Sequence, residues 1–130
     1  MTAAPSARML TAWRRTEYGA AGAAIRLGRR SPALEALLPR RGAAFLTAWN
    51  PMGRRRPEGW NRRMQARLCE RLRGLPRHVG FGRLGAWREE HLLVVVDLRR
   101  AVVLARHFRQ LGILVLRPGG RARLITLAYH

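Results

Sequence analysis

The spacing of apolar side chains divides the chain into short helices and short strands. Apolar residues recur at helical spacing, as on one face of a helix, in the segments 8–18, 31–39, 62–75 and 98–109. Runs that alternate or are apolar throughout, which are typical of strands, occupy 23–27, 43–49, 89–97, 111–116 and 121–128. Because the turn sequence RPGG at 117–120 joins the last two strands, they are predicted to form an antiparallel hairpin.

This order of elements predicts a single α+β domain. We expect a two-layer sandwich, in which a mixed or mainly antiparallel sheet of about five strands packs against about three or four helices. The 130 residues are enough for one domain with one core, and 48% of them are apolar. We assign the domain to residues 9–130 and expect residues 1–8 to form a flexible N-terminal tail.

Polar residues and prolines mark where two of the helices begin or end. Ser31 is a predicted N-cap, with Pro32 at the first helical position, where proline is tolerated. Pro39 is predicted to end the same helix. Asp97 is predicted to cap the helix over 98–109.

The two asparagines of the chain, Asn50 and Asn61, both stand at predicted boundaries. Asn50 and Pro51 follow a strand, and an Asn-Pro pair favours a turn. Asn61 precedes a helical segment, where its side-chain oxygen is suited to an N-cap. The sequence therefore predicts that one asparagine closes a strand and that the other opens a helix.

The charge of the chain is strongly positive. All 26 basic residues are arginine, against 7 acidic residues, so the formal net charge is +19. Such a balance predicts an anionic partner, namely nucleic acid or another polyanion. The absence of lysine also indicates a GC-rich codon bias, which would place part of this charge on a tolerant surface without a binding role.

Several classes of protein are not favoured by the sequence. Cys69 is the single cysteine, which excludes an intramolecular disulfide and a cysteine metal cluster and fits a reducing cytoplasm. The first ten residues lack the apolar core of a secretory signal. The longest aliphatic run, 92–96, is far shorter than a membrane span. We therefore expect a cytoplasmic protein with no membrane partner.

No motif for a cofactor or a metal is recognised. Gly80, Gly82 and Gly85 match G-x-G-x-x-G, but no buried strand is predicted before them and no helix after them. A dinucleotide fold requires both, so we interpret the glycines as a flexible or bulged loop. The histidines have no metal-ligand spacing. We expect neither a cofactor nor a metal.

Two groups of residues are candidates for chemistry. An arginine cluster spans the segment 54–73, where helical spacing places Arg63, Arg67 and Arg71 on one stripe; it would bind phosphate or, alternatively, form a solvated face. On an extended strand, Trp87, Glu89 and His91 point to the same side. Glu89 with His91 would suit acid–base chemistry or a metal, whereas the many arginines favour a structural ion pair of Glu89.

The chain resembles the bacterial family known as domain of unknown function 3293. The resemblance spans roughly residues 9–127 and is carried by RMLTAWRRTEY, SPALEALL, FLTAWNP, a later asparagine, W-x-E and F-x-Q, in that order. It implies the fold of that family and a bacterial origin, but no reaction. It also implies that the polar signature of the family falls on Asn50, Asn61, Glu89 and Gln110, and we hypothesise that these side chains converge at one end of the sheet.

These observations lead to one preferred function and two alternatives. The preferred function is a non-enzymatic binding module for an anionic ligand, either nucleic acid or a nucleotide. One alternative is a small enzyme that acts on a polar metabolite with Glu89 as the acid or base. The other is a protein–protein interaction domain. The predicted ligand-binding residues are Asn50, Asn61, Glu89, Gln110, Arg54, Arg55, Arg56, Arg63 and Arg67.

Overall fold

The computed structural model describes residues 3–38 and 41–130, and it confirms the α+β class. Four α-helices, one short 3-10 helix and seven strands are formed within these residues. The helices are α1 (Ala7–Arg15), α2 (Pro32–Glu35), α3 (Glu58–Arg71) and α4 (Leu98–His107), with the 3-10 helix at Pro51–Gly53. The strands are β1 (Glu17–Ala20), β2 (Ala23–Ile25), β3 (Ala43–Leu46), β4 (Arg77–Leu84), β5 (Trp87–Val95), β6 (Gly112–Leu116) and β7 (Arg123–Thr126).

The strands form one curled sheet in the order β2-β1-β4-β5-β3-β6-β7. Every neighbouring pair is antiparallel, including the hairpin of β6 and β7 that the sequence predicts. Strand β3 lies between β5 and β6, although both follow it in the chain. The ends of strands that are distant in sequence therefore meet at the same edge of the sheet.

The prediction of about five strands was too low, because β1 and β4 were missed. The segment of β4 was interpreted as a glycine loop, but it pairs with β5 from Arg77 to Leu84. Glycine is required there by close packing, since a Cβ at Gly80 would lie only 2.5 Å from the carbonyl oxygen of Gly19 on β1. Helix α1 ends at Arg15, and the strand β1 begins at Glu17.

The predicted two-layer sandwich does not describe the packing, because both faces of the sheet are covered. On one face, α3 and α4 bury an apolar cluster that includes Leu68, Leu104 and Val94. On the other face, Leu34 of α2 packs in a second cluster with Phe45 of β3. The central strands are apolar on both sides, and each side needs its own cover to leave water.

Two of the predicted helix caps are confirmed. The Ser31 side chain accepts a hydrogen bond from the backbone N–H of Leu34 at 3.2 Å. The carboxylate of Asp97 accepts one from the backbone N–H of Arg100 at 2.8 Å. The predicted helix end at Pro39 lies outside the described residues.

The predicted N-cap role of Asn61 was wrong. Helix α3 begins at Glu58, and the backbone N–H of Asn61 donates to the carbonyl oxygen of Pro57 at 3.0 Å. Proline at the cap position brings an extended backbone and no side-chain donor or acceptor. The helix therefore starts earlier, and the Asn61 side chain is available for contacts elsewhere.

Three further features bear on the earlier expectations. Near the N-terminus, Ala3 exchanges two backbone hydrogen bonds with Tyr129, at 2.7 and 2.8 Å. Across residues 3–38 and 41–130, no helix has the length and apolar character to cross a membrane. Cys69 is half-buried and packs against the cluster beneath α3 and α4.

Candidate functional site

The antiparallel pairing collects five strand ends at one edge of the sheet. The C-terminal ends of β3 and β4 lie beside the N-terminal ends of β1, β5 and β6. Asn50 follows β3, Glu89 lies near the start of β5, and Gln110 precedes β6. The strand order therefore brings these three residues, from distant parts of the sequence, to one edge.

Asn50 is the centre of a hydrogen-bond network at this edge. Its side-chain Nδ2 donates to Oε1 of Glu89 at 2.8 Å. Its Oδ1 accepts from Nδ2 of Asn61 at 2.9 Å and from the backbone N–H of Arg56, also at 2.9 Å. In return, Oδ1 of Asn61 accepts from the backbone N–H of Asn50 at 3.0 Å. The two asparagines thus bind each other reciprocally and present one amide to Glu89.

The backbone at Asn50 adopts an uncommon conformation. Its φ of 47° and ψ of 58° lie in the left-handed region, which asparagine tolerates better than most residues. Met52 and Arg109 also have positive φ, of 60° and 57°, and the N–H of Met52 donates to the carbonyl of Arg109 at 2.7 Å. Three strained residues therefore lie in two joined loops beside the network, and such strain clusters at functional sites.

The remaining side-chain amides bind backbone groups in the residues that follow β3. Oε1 of Gln65 accepts from the N–H of Ala48 at 2.8 Å, while Nε2 of Gln110 donates to the carbonyl of Trp49 at 3.1 Å. Thr47 contributes its hydroxyl oxygen, which accepts from the N–H of Trp49 at 3.1 Å. Side chains thus satisfy backbone groups that a neighbouring strand would otherwise bind, in a segment that also lines a cavity.

The cavity has a volume of about 240 Å³ and lies on the face of the sheet opposite α3 and α4. Its inner wall is aromatic, with the ring of Tyr18 at 5.7 Å from Phe45 and 5.6 Å from His91. Gly82 makes room for these rings, since a Cβ there would lie 2.9 Å from Cε1 of His91. Toward the sheet edge the lining becomes polar, and it includes Thr47, Asn50, Glu89 and Gln110.

Burial changes the ionisation of three residues that line the cavity. Loss of solvent lowers the pKa of His91 to about 4, so this imidazole is neutral at pH 7. Burial also raises the pKa of Glu89, while hydrogen bonds from Asn50 and Trp87 offset part of the effect. The pKa of Tyr18 is raised by burial and by the nearby charge of Glu89. The cavity therefore holds a carboxyl group that is more readily protonated than usual beside a neutral imidazole.

The predicted ion pair between Glu89 and an arginine is not formed. Among residues 3–38 and 41–130, no arginine guanidinium lies within 4.0 Å of the Glu89 carboxylate. Its partner is the uncharged amide of Asn50. Glu89 thus remains half-buried at the cavity without a compensating cation, which is the arrangement that its raised pKa reflects.

The predicted basic residues are separated by the fold. Arg55 lines the cavity, with its guanidinium 5.6 Å from the ring centre of Trp87. Arg54 is exposed in the same loop, and Arg56 stacks over Trp60 at 5.3 Å. Arg63 and Arg67 point to solvent from the opposite side of α3 to the buried Asn61 and Gln65, and neither lines the cavity. The fold thus brings Arg55, but not Arg63 or Arg67, to the cavity with Asn50, Glu89 and Gln110.

The described residues contain no group of three or more His, Cys, Asp or Glu side chains that could hold a metal ion. Glu89 and His91 are therefore not joined by a third ligand of those types in this part of the chain.

The central part of the chain also matches a known family. The family model described as "Protein of unknown function (DUF3293)" matches residues 46–113. The chain belongs to this family. The segment that matches DUF3293 includes Asn50, Asn61, Glu89 and Gln110, whereas α1 and Tyr18 lie before it. No curated protein and no solved structure matches the chain.

Three residues of the site were missed by sequence reasoning. Thr47 could have been recognised from the sequence, because it is the one polar side chain in the apolar run 43–49. Gln65 was also visible, since Asn61, Gln65 and Leu68 follow helical spacing and form the buried side of α3. Tyr18 had no such signal, because it belongs to β1, which was interpreted as the end of a helix.

Proposed function

We propose that this protein is a binding module for a nucleotide, with the base in the cavity and the phosphate at its mouth. The observation that carries the proposal is the composition of the cavity wall. Aromatic rings form the inner part, a carboxylate and amides form the polar edge, and Arg55 lines the cavity as well. A flat ring with hydrogen-bonding edges and an anionic substituent matches these three features.

The size of the cavity supports a ring system more than a whole nucleotide. Pockets for small molecules commonly have volumes of about 300–1,000 Å³. The volume of about 240 Å³ falls below that range. A nucleotide would therefore place only its base inside, and its sugar and phosphate would remain at the opening.

The polar edge favours a ligand that donates hydrogen bonds. One carboxylate oxygen of Glu89 already accepts from Asn50, and the group retains further acceptor capacity. The exocyclic amines and ring N–H groups of bases are donors of the required kind. The reciprocal pair of Asn50 and Asn61 fixes the orientation of this carboxylate, because the amide that binds Glu89 cannot rotate without losing its other bonds.

The indole of Trp49 supports a bound acceptor as well. Its Nε1–H is buried and has no hydrogen-bond partner among the described residues, although Trp49 lines the cavity. A buried donor without a partner costs roughly 1–3 kcal/mol. A ligand acceptor would remove that cost if the indole turns so that this buried N–H faces the cavity.

Equilibrium dialysis with the four common nucleoside monophosphates tests the proposal. We expect saturable one-to-one binding of at least one of them, weakened about tenfold or more by Glu89→Gln, since a charged hydrogen-bond acceptor is lost. Arg55→Gln should weaken the binding of the nucleotide but not the binding of the corresponding nucleoside. The matched control is Arg63→Gln, which removes the same charge from the outer side of α3.

The proposal fails if none of the four nucleotides binds, or if Glu89→Gln and Arg63→Gln bind as the wild type does. A loss of binding confined to Arg63→Gln would instead indicate that the nucleotide binds at the surface of α3.

A second candidate function is a small enzyme that acts on the bound polar ligand with Glu89 as acid or base. It is favoured by the raised pKa of Glu89 beside the neutral His91 in one cavity. Incubation of the protein with each bound nucleotide, followed by proton and phosphorus NMR, tests this function. This second function predicts conversion that Glu89→Gln abolishes; an unchanged nucleotide after prolonged incubation would overturn it and leave the binding function.

A further inference from the structure

A second concavity adjoins the cavity at the same edge of the sheet. It is open to solvent, has a volume of about 480 Å³, and shares Leu84 with the cavity. We call it the basic groove; its charged residues are Arg14, Arg15, Glu17, Arg26 and Arg83. Consecutive residues serve both features: Trp13 and Thr16 line the cavity, whereas Arg14, Arg15 and Glu17 line the groove.

The groove has an uncompensated positive charge. Four arginines face one glutamate, which leaves a formal charge of 4 − 1 = +3. The carboxylate of Glu17 is engaged by Arg83, and Arg26 lies 3.8 Å from it. For Arg14 and Arg15, no carboxylate of residues 3–38 and 41–130 lies within 4.0 Å. Two guanidinium groups therefore remain available to an external anion.

Helix stability does not account for the whole cluster. Arg14 and Arg15 occupy the last turn of α1, where a cation is favoured by the helix dipole. Arg26 follows β2 and Arg83 is on β4, so the dipole of α1 does not account for the position of either residue. Like charges brought together from three elements repel one another, and an anion bound among them would relieve this repulsion.

The geometry points to a phosphate site, and we propose that the basic groove binds the outer phosphates of a nucleoside triphosphate. This inference rests on the proposed function, because it places the base of the same ligand in the cavity. Guanidinium groups match phosphate oxygens through paired N–H donors. The ligand class is therefore a nucleotide with more than one phosphate, in which the phosphate chain runs from the cavity mouth across Leu84 into the groove.

Calorimetric titration of three ligands with the full chain tests the inference. The ligands are the nucleoside monophosphate that binds best in dialysis, its triphosphate, and inorganic tripolyphosphate. If none of the monophosphates binds, ATP is used as the triphosphate. The groove variant is Arg14→Gln with Arg15→Gln, which removes two exposed charges and leaves the pairing of Glu17 intact. The matched control is Arg8→Gln with Arg67→Gln, two exposed arginines that line neither the cavity nor the groove.

The wild type should bind the triphosphate at least about tenfold more tightly than the monophosphate, as expected for added charge-assisted contacts. The groove variant should lose this gain in affinity for the triphosphate. Its affinity for tripolyphosphate should fall by a similar factor, while its affinity for the monophosphate stays unchanged. The control variant should retain the gain.

The two proposals fail in different ways. If the monophosphate binds through Glu89 but the triphosphate gains nothing, or the gain survives in the groove variant, the groove inference is overturned and the proposed function stands. If tripolyphosphate binds through the groove while every nucleoside monophosphate fails, the proposed function is overturned, and with it the claim that both sites hold one ligand. An equal loss in the groove and control variants also overturns the groove site, because it indicates only general attraction between opposite charges.

Discussion

Replacing Asn61 with alanine should destabilise the protein strongly, although no apolar packing of any size is removed. The side chain is only 1% exposed and takes part in three hydrogen bonds to protein groups. Two of them bind Asn50, and the third, at 3.2 Å, runs to the carbonyl of Arg56. Asn61→Ala removes all three and leaves the backbone N–H of the buried Asn50 without this acceptor.

The magnitude follows from the groups left behind. A buried donor without a partner costs roughly 1–3 kcal/mol, and the lost bonds to Asn50 and Arg56 add to it. Oδ1 of Asn50 keeps one partner, the backbone N–H of Arg56, which limits the damage. We expect a total loss of about 2–4 kcal/mol in the free energy of unfolding, a large part of the roughly 5–15 kcal/mol of an ordinary domain.

Urea denaturation followed by tryptophan fluorescence measures this loss. The midpoint for Asn61→Ala should fall by about 1–2 M, given typical urea dependences for small domains. Arg63→Ala, on the exposed side of the same helix, is the matched control and should change the free energy of unfolding by less than about 0.5 kcal/mol. If the midpoints of the two variants coincide, the network around Asn50 does not stabilise the fold, and the reasoning is refuted.

Three further predictions concern the cavity. Because burial lowers the pKa of His91 to about 4 from an unfolded value near 6.5, its contribution to stability is complete above pH 6.5. Acidification from there to pH 4 should remove up to about 3 kcal/mol in urea titrations, and His91→Gln should flatten this dependence; an unchanged slope would contradict it. Because burial raises the pKa of Glu89, its charge opposes folding above the unfolded pKa, so Glu89→Gln should raise the urea midpoint at pH 7 and lose that advantage in acid. A lower midpoint at pH 7 would show that the carboxylate stabilises the fold. Gly82→Ala should lower the free energy of unfolding by about 1–3 kcal/mol and so lower the melting temperature, since its Cβ would lie 2.9 Å from His91. Gly120→Ala, with its nearest contact at 3.5 Å, should have little effect. Equal melting temperatures for the two variants would refute the packing argument.

Local patterns predicted most elements because their causes are local. The caps at Ser31 and Asp97 depend on side chains three residues from the groups they bind, and both are confirmed. Strand β4 was missed because the feature that places it in the sheet is the absence of a side chain. Gly80 and Gly82 allow close approach to β1 and to His91, and this requirement is visible only once the neighbouring strands are in place.

The candidate site shows the same division between features with local causes and features that depend on tertiary structure. Asn50, Glu89 and Gln110 were expected to meet, because each stands at the end of a predicted strand. The contacts themselves join residues 39 and 61 positions apart, from Asn50 to Glu89 and from Gln110 to Trp49. Helical spacing placed Arg63 beside Arg67, but it did not indicate that their side of α3 faces away from the cavity.

The sequence by itself therefore determined the kinds of element, most of their positions and the excess of positive charge, since these depend on residues that are neighbours in the chain. Tertiary structure decided that β3 lies between β5 and β6, that both faces of the sheet are covered, and that Arg55 reaches the cavity while Arg63 and Arg67 do not. The reason is physical: strand order and helix docking are set by which apolar faces can be buried together, and that choice depends on the whole chain at once.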